Sequence, residues 1–300
     1  MEQLMALKEQ LNCLCPDLEL RQQEPLARHT SFRIGGPGAL MALPTTKEQA
    51  VLAVRTADSL GITPFFMGNG SNLLVSDEGT KQFIIKTSQL REIRRTGNRL
   101  TAQSGVTLAR LAVSARDEGL TGLEFAHGIP GTLGGAVTMN AGAYGGEMAQ
   151  VVRRVTYLTQ RGEVEETTEF DFAYRHSAFD DGRRMILEVE LALEPGDPVQ
   201  IGARMDELAY QRQSKQPLEY PSAGSMFKRP AGYFAAALID QCGLKGLRVG
   251  GAEVSQKHAG FVVNRGGATC EDVLELVKQV RARVLEATGV ELEMEVKILA

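Results

Sequence analysis

Residues 68–77 read GNGSNLLVSD. Two glycines bracket an asparagine, a serine and a second asparagine follow, and an apolar run closes the stretch. TPFFMG (63–68) leads in as a strand, and Leu73, Leu74 and Val75 continue as a strand rather than a helix. That context separates the loop from a G-x-G-x-x-G turn, and the missing Lys-Ser/Thr ending separates it from a Walker A loop. What remains is a strand-to-strand turn dense in backbone N–H groups, with Ser71 and Asn72 as further donors. Such a nest binds an anion without a helix dipole, and glycine lets the main chain approach a phosphate closely. From this loop alone, a tight hairpin holding nothing fits equally well.

Outward from the loop, strand and helix patterns alternate. ALMAL (39–43) is a short apolar strand; Thr45 or Thr46 can cap a helix reaching Leu60, and Gly61 sits at its C-terminal position. FIIK (83–86) and LTAQSG (100–105) read as strands, and Thr107–Glu118 as a helix burying Leu108, Leu111, Ala112 and Ala115. Further strands are expected at Val151–Thr159, Ile186–Leu193 and FVVN (261–264), and helices near 199–213, 233–241 and 269–288. The terminal VELEMEVKIL alternates, with Val290, Leu292, Met294, Val296 and Ile298 on one face and Glu291, Glu293, Glu295 and Lys297 on the other. The architecture implied is α/β or α+β.

Composition narrows the function classes. At 300 residues, 43% hydrophobic and 23% charged, the chain is an ordinary globular protein with room for two domains. A net charge of −4 argues against general nucleic-acid or anionic-membrane binding. Cys13, Cys15, Cys242 and Cys270 fit neither a zinc spacing nor a disulfide framework, so free thiols in a reducing compartment are expected and no metal. The N-terminal stretch, with Leu4, Leu7 and Leu11 on one face and Glu2, Lys8 and Glu9 interspersed, is an amphipathic helix rather than a signal segment. Cytoplasmic residence is the expectation.

The block GLEFAHGIPGTLGGAVTMNAGAYGG (122–146) carries eight glycines in 25 residues. A structural turn needs one or two. A row of them suggests a flat, extended ligand lying against main chain, and two such loops fit a dinucleotide better than a mononucleotide.

With RHTSFRIGG (28–36), YRHS (174–177), PSAGSMFKRPAG (221–232), LIDQCGLKGLRVGGAEVSQKHAGFVVN (238–264) and LEMEVKIL (292–299) added, the chain closely resembles the UDP-N-acetylenolpyruvoylglucosamine reductase (MurB) family over residues 28–299. The resemblance implies an α+β chain: a two-lobed FAD-binding domain of the vanillyl-alcohol-oxidase (PCMH) type, followed by a smaller α/β substrate domain. The boundaries expected are 1–24 for the N-terminal helix, 25–197 for the FAD domain (lobes roughly 25–86 and 87–197) and 198–300 for the substrate domain, with PGDP (195–198) as the divide. The short stretch between Arg175 and Ser225 resembles the type II branch, so the tyrosine that an extra loop carries in the other branch has no assignment here.

By the same resemblance, FAD is held non-covalently by Gly68, Asn69, Gly70, Ser71 and Asn72 at the pyrophosphate. Gly128, Ile129, Pro130, Gly131, Gly134, Gly135, Asn140, Ala141 and Gly142 line the flavin's other side. The implied reaction passes hydride from NADPH, as co-substrate, through FAD to the β-carbon of an enolpyruvyl ether on a UDP-sugar, in peptidoglycan precursor synthesis. Ser225 matches the proton donor; a hydroxyl is a weak acid, suited only to a strongly basic, enolate-like carbon. Arg175 matches the residue steadying the carboxylate, which a guanidinium can engage with two bonds. Glu295 precedes Val-Lys as the family's glutamate does, although periodicity alone reads that face as solvated. Lys215, Arg229, His258, Tyr144, Tyr174 and Lys297 match substrate-side positions, Lys297 standing where the family often has arginine. Two rivals stay open: an FAD-dependent oxidase of another alcohol or sugar, for which His127 could tether flavin, and a catalytically silent flavin-binding module.

Overall fold

A computed structural model describes residues 2–300. The chain forms two compact units, neither of them a continuous segment. The first takes the described residues through Gln22, then Ala39–Asn69 and Gln82–Gln211; the second takes Gln23–Gly38, Gly70–Lys81 and Arg212–Ala300. The change of unit after Gln211 falls inside the helix Pro198–Lys215 rather than at the Pro-Gly-Asp-Pro turn. Two earlier stretches also belong with the C-terminal part, because their partners are strands and helices far along the chain.

In the first unit, a four-stranded sheet runs in the order Glu19–Pro25, Pro37–Leu43, Thr80–Lys86, Phe65–Met67. Its last pair is parallel, Phe65 opposite Ile84 and Met67 opposite Lys86. The helices Glu2–Leu14 and Lys47–Ser59 contribute Leu7, Leu11, Ala50, Ala53, Val54 and Ala57 to the same core as Leu40, Phe83 and Ile85. Thr46, not Thr45, caps the second helix, its side chain accepting from Gln49 N. A five-stranded antiparallel sheet follows, in the order Val164–Thr167, Val152–Leu158, Met185–Ala192, Arg99–Gln103, Ile93–Thr96. Strand alternation sorts its faces. Val189 and Leu191 join a core with Leu108, Leu111, Leu133 and Met148, while Glu188 and Glu190 pair with Arg94, Arg99 and Arg154.

The glycine block is not one extended loop. It holds a turn at Glu124–Ala126, a helix at Leu133–Thr138 and a small ladder between Gly142–Ala143 and Gly146–Glu147. Two glycines inside a six-residue helix oppose helix formation by about 1 kcal/mol each. Tertiary anchors override this: Leu133 N donates to Val106 O at 2.8 Å and Gly134 N to Ser104 O at 2.9 Å.

In the second unit, an antiparallel sheet orders Ser222–Ser225, Phe261–Asn264, Ala252–Val254, Arg248–Val249. The helix Cys270–Thr288 lays Val273, Val277, Val280 and Val284 into a core with Phe32, Leu74, Met226 and Val262. A capping box of Thr269 and Asp272 starts it, and left-handed Gly289 (φ 71) ends it. Asp77, the last residue of the opening stretch, adds a second anchor by accepting from Cys270 N at 2.8 Å and Glu271 N at 3.2 Å. Strand Lys297–Leu299 pairs in parallel with Leu73–Val75.

The terminal alternation breaks near its end: Ile298 is 51% exposed and Leu299 buried. The segment bridges Phe227 at Met294 and then changes partner to Leu73–Val75, and the inward face changes with the partner.

Candidate active site

The strand Phe65–Met67 delivers Gly68 beside Thr132 within the first unit. A Cβ at Gly68 would stand 2.3 Å from Thr132 Oγ1, and one at Gly134 would stand 2.8 Å from Ser104 Cβ. The first contact joins the GNGSN loop to the glycine block, the second joins the block to Ser104, and together they explain two of the glycines by close approach. Thr132 and Ser104 are each 1% exposed, yet neither Thr132 Oγ1 nor Ser104 Oγ has a hydrogen-bond partner in the protein. A buried hydroxyl without a partner is unfavourable by about 1–3 kcal/mol. Two of them, flanked by glycines that admit no side chain, form a cradle suited to a polar, phosphate-bearing cofactor. Sequence reading missed both hydroxyls; Ser104 and Thr132 look like ordinary turn and cap residues until their missing partners are seen. His127, in the same block, also has a buried Nδ1 without a partner.

Of the other block residues, Gly128, Pro130 and Gly135 are exposed, Ile129, Gly131 and Gly142 half-buried, and Ala141 buried. Asn140 is buried and left-handed (φ 41), and its side-chain amide serves the chain itself. Nδ2 donates to Ala173 O at 3.2 Å, and Oδ1 accepts from Ala149 N at 2.9 Å. The amide thereby ties the glycine block to the turn bearing Tyr174 and Arg175. That turn is closed by Ala173 and His176, with Arg175 at φ 55. A non-glycine residue in this region stores strain, which the surrounding contacts must hold. The Arg175 guanidinium lies 5.7 Å from the Tyr174 ring centroid. Tyr144, also left-handed at φ 54, is exposed in the adjoining ladder turn.

In the second unit, the rest of the loop meets the C-terminal strand. Asn72 Nδ2 donates to Glu295 O at 3.1 Å, and Lys297 N donates to Asn72 O at 3.0 Å. One N–H of the Asn72 amide therefore serves the frame. Gly70 O accepts from Ser31 N at 3.3 Å, and Ser31 Oγ donates to Ser222 O at 2.7 Å. Ser225 ends its strand opposite Phe261, after a register shift that contains left-handed Gly224 (φ 79). Glu295 N donates to Met226 O at 2.9 Å and Lys228 N to Glu293 O at 2.8 Å, so the main chain of Glu295 pairs with the residue that follows Ser225.

The same pairing separates the two glutamates. Glu293 is exposed and its carboxylate meets Lys228 Nζ at 2.5 Å; Glu295 is half-buried. His258 packs edge-on against Phe261, with ring centroids 5.0 Å apart, and its Nδ1 accepts from Gly260 N. Burial, with Lys245 adding to it, lowers this imidazole's pKa from its ordinary value against the opposing pull of a backbone hydrogen bond. Arg229 lies 4.7 Å over the Phe234 ring, and both are exposed. Lys215 ends the helix Pro198–Lys215, exposed, as is Lys297. Among the described residues, no cluster of His, Cys, Asp or Glu is placed to hold a metal, and no helix is long and apolar enough to cross a membrane.

The family model described as "FAD binding domain" matches residues 38–168. Together with the two-unit α+β build and the hydroxyl-lined cradle, this match defines an FAD-binding oxidoreductase. A second model, "UDP-N-acetylenolpyruvoylglucosamine reductase, C-terminal domain", matches residues 216–299. The chain is 46% identical to the UDP-N-acetylenolpyruvoylglucosamine reductase of Geobacillus thermodenitrificans, over 100% of this chain and 99% of that protein. It is 47% identical to that of Alkaliphilus oremlandii, again over 100% and 99%. Among solved structures, the MurB enzyme of Thermus caldophilus superposes with a TM-score of 0.80 at 36% identity, covering 94% of this chain and 99% of that one. The chain belongs to the UDP-N-acetylenolpyruvoylglucosamine reductase family.

Proposed function

We propose that the protein reduces UDP-N-acetylglucosamine enolpyruvate to UDP-N-acetylmuramate at the expense of NADPH, in peptidoglycan precursor synthesis in the cytoplasm. What supports this reading is the main-chain bond from Glu295 N to Met226 O, next to Ser225 in the chain, in a chain matched end to end by enzymes of that name.

FAD would be held in the first unit by the main chain at Gly68 and Asn69, with Gly131 and Gly134 leaving room beside it and the hydroxyls of Ser104 and Thr132 gaining the partners they lack. Bound FAD supplies two-electron transfer from NADPH to the β-carbon of the enolpyruvyl group. The protein's own task is then the α-carbon, which must take a proton while negative charge spreads into its carboxylate. Arg175 engages that carboxylate with two N–H donors. Ser225 gives its hydroxyl proton to the α-carbon, and Gly224 frees the backbone to set that hydroxyl. Glu295, in its protonated form, donates a hydrogen bond to the charged oxygen, a contact present only as charge develops and therefore catalytic. Lys215, Arg229 and Lys297 offer cations to the UDP phosphates, and Tyr144, Tyr174 and His258 offer uncharged contacts to the sugar and uridine.

The test separates the half-reactions by stopped flow, following flavin colour. Ser225→Ala should leave reduction by NADPH nearly intact and slow reoxidation by the enolpyruvyl substrate by at least ~10²-fold. Equal slowing of both half-reactions would overturn the role given to Ser225.

A further inference from the structure

Next to Arg175 stands a residue for which the proposed chemistry has no task. His176 Nδ1 lies 2.6 Å from Asp180 Oδ2, and its Nε2 lies 3.2 Å from Asp171 Oδ2. A neutral imidazole has one N–H and one lone pair. It can serve one carboxylate and must turn a lone pair toward the other, whereas an imidazolium donates to both. The two carboxylates lie on opposite sides of the Tyr174–Arg175 turn, so the ring staples its flanks.

The turn needs such a staple. Arg175 and Asp171 both stand in the left-handed region, at φ 55 and φ 48. Non-glycine residues remain there only when neighbours over-determine them. The two main-chain bonds that close the turn, Ala173 N to His176 O and His176 N to Ala173 O, are both long at 3.2 Å. Asn140 Nδ2 to Ala173 O, Ser177 Oγ to Thr138 O and Ala178 N to Phe170 O fix the base of the strap, not its tip. The segment packed against the strap, Thr138–Asn140, presents only uncharged groups. On the strap itself, Asp181 is engaged by Arg184 at 3.6 Å, leaving Asp171 and Asp180 as the carboxylates at the ring.

We propose that His176 is a positioning residue: as an imidazolium clamped between Asp171 and Asp180, it holds the turn in the shape that presents the Arg175 guanidinium to the substrate carboxylate. This rests on the role given to Arg175 above. The hydrogen bonds from Asp180 and then Asp171 raise the ring's pKa above the ordinary imidazole value. The sign follows: the clamp is complete below the ordinary value and is lost as pH rises through the raised one.

The experiment uses the full-length holoenzyme, its flavin reduced with NADPH and then mixed with the enolpyruvyl substrate across a pH series. In the unaltered protein, half-saturation for reoxidation should rise on the alkaline side, with its inflection above the ordinary histidine value. His176→Gln should abolish the inflection and bind substrate about three- to tenfold more weakly at neutral pH, the modest size expected of one half-buried ion pair, with Asp180, and one largely exposed pair, with Asp171. His176→Arg, a permanent cation, should restore neutral-pH binding and remove the inflection. Asp171→Asn and Asp180→Asn should each move the inflection down toward the ordinary value. An inflection that persists in His176→Gln, or unaltered substrate binding in that variant while Arg175→Gln weakens it, overturns the clamp alone. An Arg175→Gln enzyme that handles the substrate normally overturns the underlying reading as well.

Discussion

Thr132→Val keeps the side chain's shape and replaces the unpartnered Oγ1 with a methyl group. In the protein free of FAD, a buried hydroxyl without a partner costs about 1–3 kcal/mol, which the methyl removes. The FAD-free form should therefore gain that stability and melt a few degrees higher. With FAD bound, the hydroxyl has found its acceptor, and losing that bond costs about 0.5–1.5 kcal/mol. The two effects add along the binding step, to about 1.5–4.5 kcal/mol, or roughly 10- to 10³-fold in the FAD dissociation constant. Two measurements check the argument: thermal unfolding of the FAD-free protein, and FAD titration followed by quenching of flavin fluorescence. A melting temperature that falls would mean the hydroxyl has a partner within the fold. One that rises with FAD affinity unmoved would mean the hydroxyl does not face the cofactor.

Gly68→Ala places its methyl 2.3 Å from Thr132 Oγ1, an overpacking of about 1–3 kcal/mol that should appear as weaker FAD binding and be largely relieved by a second change, Thr132→Ala. Glu295→Gln should slow flavin reoxidation by the substrate by ~10²-fold or more, while Glu293→Gln, at an exposed pair with Lys228, should stay within about twofold; the reverse ranking would transfer the role. Cys270 stands at a helix N-terminus, where thiols usually acidify, yet burial, with Asp77 adding to it, pushes it up to about 11. Native protein treated with a thiol reagent at pH 8 should label exposed Cys13 and leave Cys270 unmodified until it is denatured, and labelling of the two at equal rates would contradict that environment.

The elements whose spacing is local were legible in the sequence. The valines of Cys270–Thr288 and the leucines of Leu108–Asp117 repeat at helical period and are buried as the pattern requires. The strand-to-strand character of the GNGSN loop was likewise written in the apolar run after it. What escaped was set by partners remote in the chain. Leu133–Thr138 is helical against its glycine content because Ser104 and Val106 anchor its first turn. The inward face near Leu299 depends on a change of partner that no alternation can encode. At the site, sequence motifs selected Ser225 and Glu295, and Glu295 N donates to the carbonyl of Met226, the residue that follows Ser225. The hydroxyls of Ser104 and Thr132 had no motif, since the absence of a partner is a property of the folded chain. That the Asn140 amide bonds Ala173 and Ala149 was not legible either, because it depends on a left-handed residue at that bend having both groups within its reach.

The parallel pairing of Leu73–Val75 with Lys297–Leu299 has a bearing on how the protein is made. Leu73 leaves the ribosome more than two hundred residues before the strand that completes its ladder, and Thr80 Oγ1 likewise donates to the distant carbonyl of Ala300. During translation the Asn72 amide has no Glu295 carbonyl to meet, and the apolar Leu-Leu-Val stretch waits with an open edge, a hazard for wrong pairing. A nascent chain that had not yet reached Lys297 would carry every glycine of the cradle and still lack the strand on which Leu73–Val75 pairs.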